Sequence, residues 1–328
     1  SKHYILKLLM FFKENISYAD KKNILIWDPG GGGWPDLIDV EGTLACALKM
    51  KGHNVKAIIS DESTIAYSKR TILDGINLND WAKSFQKCIK ECEKGLKIFG
   101  VQYSYVGSFV SFDEKQEAIK ISKSICYQDL DDFSYRGYKI GRVIKGSIIR
   151  FLQGKPFSNC ESSILREFAY KAIINTISAS NSINHIKPSL VLLSHSVYVE
   201  WGAAMRVFLS NNIPVTTYST QFTRGCFFFK SIIDPEHNEP MNITQESWDK
   251  YKKEKLSSLE KEKVDSFFFE RYFKNRNLDV KFDPKDELLV NDFKKKYNLL
   301  NESRPIWAIF THITWDAVVD FNPMIFSS

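Results

Sequence analysis

The sequence lacks several features that would assign it at once to a known class of protein. No window of its 328 residues reaches about 18 uninterrupted apolar residues, the length that crosses a bilayer. The longest apolar stretch near the start, residues 4–12, is broken by Lys7, and no small-residue cleavage site follows it. Basic residues exceed acidic ones by only six, 45 against 39, and they are spread along the chain. This mild excess argues against a dedicated nucleic-acid-binding protein.

Several sequence signatures of catalysis and metal binding are also missing. The chain has no Cys-x-x-Cys pair, no phosphate-binding G-x-x-x-x-G-K-[ST] loop and no G-x-S-x-G nucleophile motif. Asp129, Asp131 and Asp132 are the nearest approach to a metal-binding carboxylate group, but they follow no strong strand, so no metal site is expected. The six cysteines are expected to be reduced thiols in the cytoplasm.

A strand–glycine loop–helix–strand pattern opens the informative part of the chain. Residues 23–27 are a short apolar run typical of a buried strand, and a run of glycines follows it. Apolar residues then recur at helical spacing from Val40 to Leu48, Gly52 ends that pattern, and residues 55–59 form a second apolar run. The pattern predicts a β-α-β unit at the front of a parallel sheet.

The rest of the chain continues this alternation and predicts an α/β fold, a Rossmann-like parallel sheet flanked by helices. Further strands are expected at residues 189–193, 214–218 and 226–229, and helices at 80–99, 113–126, 161–185 and 244–275. Residues 129–156, rich in Tyr, Arg and Gly, are interpreted as an irregular insertion with some helix.

The pattern also predicts a domain organisation. We expect a leading amphipathic helix at residues 1–20, one Rossmann-like domain at 21–283, and a linker with the start of a second domain at 284–328. One strand and one helix cannot cover both faces of a sheet, so most of the second domain is expected to lie outside this chain.

The glycine run after the first predicted strand is the sharpest local feature. It consists of Gly30, Gly31, Gly32 and Gly33. Glycines at the carboxyl end of a parallel strand let the backbone approach a ligand, although such a run is often only a flexible loop. Asp28, Trp34 and Asp36 flank it and are candidates for contact with a substrate. Trp34 either stacks on a sugar ring or fills a gap in the core.

His195 follows the apolar strand at 189–193, again at the carboxyl end of a strand. A neutral imidazole in that place can take a proton from a hydroxyl group, and activity would then fall on acidification. Glu200, expected one turn into the next helix, would orient the imidazole or act as the base itself. The alternative is a loop histidine that only caps the helix.

Two further groups are candidates for binding anions. Thr311, His312 and Thr314 follow the expected strand at 306–310, and small polar residues at a helix start offer donors to phosphate. Packing of Trp315 and capping by Asp316 is an equally good explanation of this segment. Arg224 is a candidate clamp for phosphate or carboxylate, although single arginines are usually surface residues.

Four short segments carry a resemblance to a known family. They are His195-Ser-Val-Tyr-Val-Glu-Trp-Gly202, Asn212-Ile-Pro-Val-Thr-Thr-Tyr218, Arg224-Gly-Cys-Phe-Phe-Phe229 and Thr311-His-Ile-Thr-Trp-Asp316. They resemble bacterial capsule and lipopolysaccharide biosynthesis proteins of the GT-B glycosyltransferase type. The resemblance covers most of residues 21–328 and is strongest at 189–230 and 305–328.

The resemblance implies transfer of a sugar from a nucleotide-activated donor to a surface-polysaccharide acceptor. It implies no cofactor and no obligatory metal, because the nucleotide sugar is a co-substrate. The first domain would bind the acceptor, and the second would hold the donor. The cytoplasm is the expected location, with residues 1–20 available to dock on the inner face of the membrane. Two alternatives stay open: a sugar-nucleotide or polysaccharide-binding module or partner subunit without turnover, and a sugar-nucleotide epimerase.

Overall fold

The fold is built around a six-stranded sheet. The computed structural model describes residues 21–28, 37–61, 78–152, 157, 162–220, 227–232, 245–273 and 294–296. The strands of the sheet are β1 (Asn23–Trp27), β2 (Asn54–Ile59), β3 (Gln102–Tyr105), β6 (Leu190–Leu193), β7 (Val215–Thr220) and β8 (Phe227–Ile232). A separate two-stranded hairpin consists of β4 (Ser134–Tyr135) and β5 (Tyr138–Lys139).

Helices separate most of these strands. They are α1 (Leu37–Met50), α2 (Leu78–Ile98), α3 (Phe112–Ser124), α4 (Gly141–Phe151), α5 (Ser162–Ile186), α6 (Gly202–Ser210), α7 (Gln245–Tyr251) and α8 (Ser258–Phe273). Short 3-10 helices occupy Val106–Phe109 and Tyr127–Asp129. None of the described helices combines the length and the apolar content that crossing a bilayer requires.

The strand order contains a topological switch point. The order across the sheet is β3-β2-β1-β6-β7-β8, and β1 pairs in parallel with both β2 and β6. The first three strands of the chain are therefore added on one side of β1, in the order β1, β2, β3. Strands β6, β7 and β8 are added on the opposite side of β1. In open sheets of this order, ligands bind in the crevice outside the carboxyl ends of the strands where the direction reverses. Here that place lies between β1 and β6.

Both faces of the sheet are covered at β1, which explains why this strand is apolar from Ile24 to Trp27. Leu25 and Trp27 of β1 belong to one core cluster, while Ile24 and Ile26 belong to another. Side chains alternate between the two faces of a strand, so a strand with both faces covered is apolar at consecutive positions. The β-α-β unit predicted from the sequence is confirmed, because β1 and β2 are parallel neighbours and α1 lies between them in the chain.

The segment expected to be irregular contains regular structure. Within residues 129–156 the chain forms the β4–β5 hairpin and the 11-residue helix α4. The helix begins at a glycine because a Cβ atom on Gly141 would lie 1.6 Å from the main-chain oxygen of Leu130. Glycine has a low helix propensity, so the glycine that this close packing requires made helix α4 hard to predict from the sequence.

The chain forms two compact units. The first contains the sheet, apart from residues 219–220 and 227–228, and helices α1–α6; the second contains α7 and α8. The leading helix expected at 1–20 lies outside the described residues, as does the strand expected at 306–310. The boundary at residue 284 stays a prediction.

Candidate functional site

Asp28 directly follows β1 and lies in the interior. Its backbone is left-handed, with φ of 50°, a conformation that aspartate tolerates better than most residues. The amide of Asp28 donates to the oxygen of Ile58 at 2.7 Å, and its Oδ1 accepts the amide of Ser60 at 2.9 Å. The residue is only 2% exposed, and within the described part of the chain Oδ2 has no hydrogen-bond partner. A buried carboxylate oxygen without a donor is rare in native proteins, which makes Asp28 a candidate functional residue.

The pKa of the Asp28 carboxyl group is shifted towards neutral pH. Burial raises its pKa from 3.8 to about 7, hydrogen bonds from Ser60 oppose this rise, and the carboxylates of Glu200 and Asp61 add to it. A carboxyl group with a pKa in this range can both accept and release a proton under physiological conditions.

His195 lies at the same edge of the sheet as Asp28. The register pairs Ile26 of β1 with Leu192 of β6, so the carboxyl ends of these two strands are neighbours. The His195 ring is half-buried and stacks on Trp201, with ring centroids 4.9 Å apart and planes 27° apart. The sheet therefore brings the Asp28 carboxyl and the turn that carries His195 to one place, the switch point.

Glu200 lies deeper than the sequence suggested. It belongs to the turn before α6, which begins only at Gly202, so the prediction that it lies within the helix is wrong. The residue is 5% exposed, and its main-chain oxygen accepts the indole Nε1 of Trp27 at 2.9 Å. Burial raises the pKa of its carboxyl group, while Arg150 and Lys171 lower it. The Glu200 side chain thus lies in the interior, whereas His195 keeps part of its surface in solvent.

A second buried polar contact joins α1 to the end of β7. The Tyr218 hydroxyl donates to the Glu41 carboxylate, and both residues are buried. Burial and the neighbouring Glu41 raise the pKa of the Tyr218 hydroxyl well above its ordinary value. Sequence analysis missed this pair, because a glutamate in a helix and a tyrosine at a strand end are both common on surfaces.

Arg150 of α4 contacts the turn after β6 through the ring of Tyr198. The Arg150 guanidinium carbon lies 4.1 Å from the centroid of the Tyr198 ring, and that ring lies 6.5 Å from the His195 ring. Among the described residues, Arg150 Nε, Ser196 Oγ and Trp201 Nε1 are buried atoms without a hydrogen-bond partner. Arg150 was also missed from the sequence, because nothing in its spacing distinguishes it from a surface arginine.

The remaining candidates fall outside the region that the structure describes. These are Gly30, Gly31, Gly32, Gly33, Trp34, Asp36, Arg224, Thr311, His312 and Thr314. Of the glycine run and the residues that flank it, Asp28 is the one that the structure describes.

The described residues offer no group of three or more His, Cys, Asp and Glu side chains placed to hold a metal ion. In the acidic segment at 129–132, Asp131 forms an ion pair with Lys145 at 2.8 Å. A cavity of about 470 Å³, lined in part by Lys56, Gln102 and His185, lies beside the amino ends of β2 and β3. It is therefore at the other end of the sheet from the switch point.

A scan against protein-family models and searches of curated proteins and of solved structures found no match to this chain. A functional assignment therefore depends on the chemistry at this edge of the sheet and on the motifs of the sequence.

Proposed function

We propose that this chain transfers a sugar from a nucleotide-activated donor to a hydroxyl group of a surface glycan, with the reaction at the carboxyl ends of β1 and β6. One observation carries the proposal: Asp28 and the turn bearing His195 lie on neighbouring strands at the switch point of the sheet. This is where open α/β sheets bind their ligands.

The reaction requires a proton acceptor at this point. The acceptor oxygen forms a bond to the anomeric carbon, the bond from that carbon to the donor phosphate breaks, and the nucleotide leaves with the electron pair. The proton of the acceptor hydroxyl must go to a nearby base. Asp28 and His195 are the two titratable groups proposed for this role, and Oδ2 of Asp28 has no competing partner among the described residues.

The motifs of the sequence support the same chemistry. Pro29 and then four glycines follow Asp28, and backbone amides in a glycine-rich loop can approach a sugar or a phosphate closely. The turn with His195 and Trp201 lies within the first of the segments that resemble capsule biosynthesis glycosyltransferases.

The test is turnover with a panel of labelled nucleotide sugars and glycan acceptors, measured as release of nucleoside diphosphate and as glycan product. Asp28→Asn and His195→Gln are compared with His185→Gln, which changes an exposed histidine near the cavity at the other end of the sheet. We expect product from the wild type and from His185→Gln, and a loss of about 100-fold or more in at least one of the other two.

Three other results of this assay would indicate a different function or a different site. Saturable binding of a nucleotide sugar without any product would indicate a binding module. Conversion of the nucleotide sugar into an isomer, without transfer, would indicate an epimerase. Turnover that is unaffected in both Asp28→Asn and His195→Gln would place the reaction elsewhere in the protein.

A further inference from the structure

Three polar side chains interrupt one face of the sheet away from the switch point. Lys56 lies on the same face of β2 as Ile58, which belongs to the larger core cluster, because side chains alternate along a strand. The register pairs Lys56 with Gln102 of β3, and it pairs Ile58 with Ser104. Gln102 and Ser104 therefore share this face with Lys56. Polar residues in a covered sheet break its apolar pattern, and such breaks are expected at functional sites.

A cavity lies against these three side chains. It has a volume of about 470 Å³, and Lys56, Gln102 and Ser104 line it from the sheet. Phe109, which ends the 3-10 helix after β3, and Ile186, the last residue of α5, also line it. Sites for small molecules have volumes of about 300–1,000 Å³ and combine apolar walls with a few polar groups. This cavity meets both criteria, and we call it the Lys56 cavity.

Hydrogen bonds fix the segment that bears Phe109. The side-chain amide of Asn181 in α5 donates to the main-chain oxygen of Phe109 at 2.8 Å. The amide of Gly107 donates to Oδ2 of Asp61, after β2, at 2.8 Å. The 3-10 helix is thus bonded both to α5 and to the chain beyond β2. The wall of the cavity is therefore held in place without a ligand, as in most small-molecule sites.

Lys56 brings a positive charge to this cavity. The residue is half-buried, and it forms no ion pair or hydrogen bond with another residue that the structure describes. The described residues that line the cavity include no aspartate and no glutamate. A charge that is partly removed from water interacts with an opposite charge more strongly than one on the open surface does. The Lys56 ammonium is therefore suited to hold an anionic group.

Acceptors around the Lys56 cavity already have other partners. A second cavity of about 370 Å³ borders the first and is lined in part by Glu114, whose carboxylate forms an ion pair with Arg136 at 3.1 Å. At the end of α5, the main-chain oxygens of Ile186 and Lys187 accept the side-chain amide of Asn23 at 3.3 Å and 3.2 Å. These groups do not compete for the Lys56 ammonium, which leaves its charge for a ligand.

We propose that the Lys56 cavity binds a small hydroxylated anion, a sugar phosphate or a sugar acid. The Lys56 ammonium pairs with its phosphate or carboxylate group, and the Gln102 amide and the Ser104 hydroxyl bond to its hydroxyl groups. Phe109 and Ile186 contact its carbon skeleton. The cavity lies beside the amino ends of β2 and β3, whereas the switch point is at the carboxyl ends of β1 and β6. It is therefore a second site, and it does not depend on the proposed sugar transfer.

Calorimetric titration of the 328-residue chain tests the proposal. The probes are glucose 6-phosphate, glucuronate, glucose and inorganic phosphate. The first two separate phosphate from carboxylate as the source of the charge. Glucose has the hydroxyl groups without the charge, and inorganic phosphate has the charge without the sugar.

Three variants accompany the wild type in these titrations. Lys56→Gln removes the cation, and Lys97→Gln, the matched control, removes the same charge from an exposed position on α2. Ser104→Phe keeps Lys56 and fills the cavity with a ring. Far-UV circular dichroism and the melting temperature show whether each variant is folded.

We expect at least one of the two charged sugars to bind the wild type and Lys97→Gln equally, and about tenfold or more tightly than glucose or inorganic phosphate binds. Lys56→Gln should weaken that binding about 10- to 100-fold, the effect of one charge-assisted hydrogen bond, without a change in melting temperature. Ser104→Phe should abolish it, because the added ring occupies the space of the ligand.

Three results would overturn the inference. The first is that neither charged sugar binds the wild type with a dissociation constant below about 1 mM. The second is binding that Lys56→Gln leaves unchanged, which would place the sugar elsewhere in the protein. The third is equal affinity for glucose 6-phosphate and inorganic phosphate, because the hydroxyl groups would then have no partners in the cavity.

Discussion

The indole Nε1 of Trp27 donates a hydrogen bond to the main-chain oxygen of Glu200 at 2.9 Å, across 173 positions of sequence. It joins the last residue of β1 to the turn that carries His195. Trp27 is fully buried and packs edge-on against Phe208 of α6, with ring centroids 5.5 Å apart. One side chain therefore connects both halves of the sheet at the switch point.

Replacing Trp27 with phenylalanine should destabilise the fold. The change removes a buried hydrogen bond, leaves the Glu200 oxygen without that donor, and opens a small cavity, so we expect a loss of about 2–4 kcal/mol in the free energy of unfolding. Urea denaturation measures it. Trp248→Phe, at a residue that is 53% exposed, is the control and should change stability by less than about 0.5 kcal/mol. Equal stability of the two variants would contradict the role of this bond.

The buried carboxyl group of Asp28 should make stability depend on pH. Its pKa is raised in the folded state, from 3.8 to about 7, so ionisation favours the unfolded chain. The unfavourable contribution is absent below about pH 4, grows between pH 4 and 7, and is complete above pH 7, where it reaches at most about 4 kcal/mol.

Asp28→Asn removes this contribution, because an amide does not ionise. The stability of the variant relative to wild type should therefore increase from pH 5 to pH 7 and level off above it, as measured by urea denaturation across that range. Asp39→Asn, at an exposed carboxylate of α1, should show no such trend. Two stability curves that run parallel for Asp28→Asn and wild type would show that Asp28 is not buried as described.

The raised pKa of Asp28 also leads to a prediction for the pH dependence of turnover. If Asp28 accepts the proton, it must be ionised, so kcat/KM of the wild type should fall about tenfold per pH unit below pH 7. Asp28→Asn should lose about 100- to 10,000-fold in kcat, whereas His195→Gln should keep the acidic limb. If the fall in kcat/KM below pH 7 persists in Asp28→Asn and disappears in His195→Gln, the His195 imidazole is the base.

The buried hydrogen bond between Tyr218 and Glu41 should stabilise the link from β7 to α1. Tyr218→Phe removes the hydroxyl that donates to the Glu41 carboxylate and should lower the free energy of unfolding by about 1–3 kcal/mol. Thermal unfolding measures this, and Tyr251→Phe at an exposed tyrosine is the control, expected to have little effect. An unchanged melting temperature in Tyr218→Phe would contradict the contact.

Gly202, the first residue of α6, should not tolerate a side chain. A Cβ atom there would lie 2.8 Å from the main-chain oxygen of Ser196 and 3.2 Å from Val143. Alanine normally stabilises a helix by about 1 kcal/mol relative to glycine, so a net loss in Gly202→Ala would have to come from this contact. We expect a loss of about 1–3 kcal/mol in denaturant titration, and a stabilised variant would contradict the packing described.

The sequence predicted the elements of the fold better than their arrangement. Strands β1, β2 and β6 were expected from short apolar runs, because a strand covered on both faces is largely apolar, and β7 was expected from residues 214–218. The pairing of Leu25 with Val191 was not predictable, because no local pattern links positions 166 residues apart.

Only some residues of the candidate site could be proposed from the sequence. Asp28 was a candidate because it flanks the glycine run and His195 because it follows an apolar strand, and the sheet places the two strands that precede them side by side. Arg150, Glu41 and Tyr218 were not, because burial of a polar side chain depends on tertiary packing that its neighbours in sequence do not reveal.

The central position of β1 also constrains the order in which the protein can form during synthesis. Its partner β2 emerges from the ribosome soon after it, but its other partner, β6, begins only at Leu190. Until that point one edge of β1, which is apolar from Ile24 to Trp27, has no backbone partner, and such edges readily pair with other chains. Nascent chains that stop short of β6 should therefore be the species that require a chaperone.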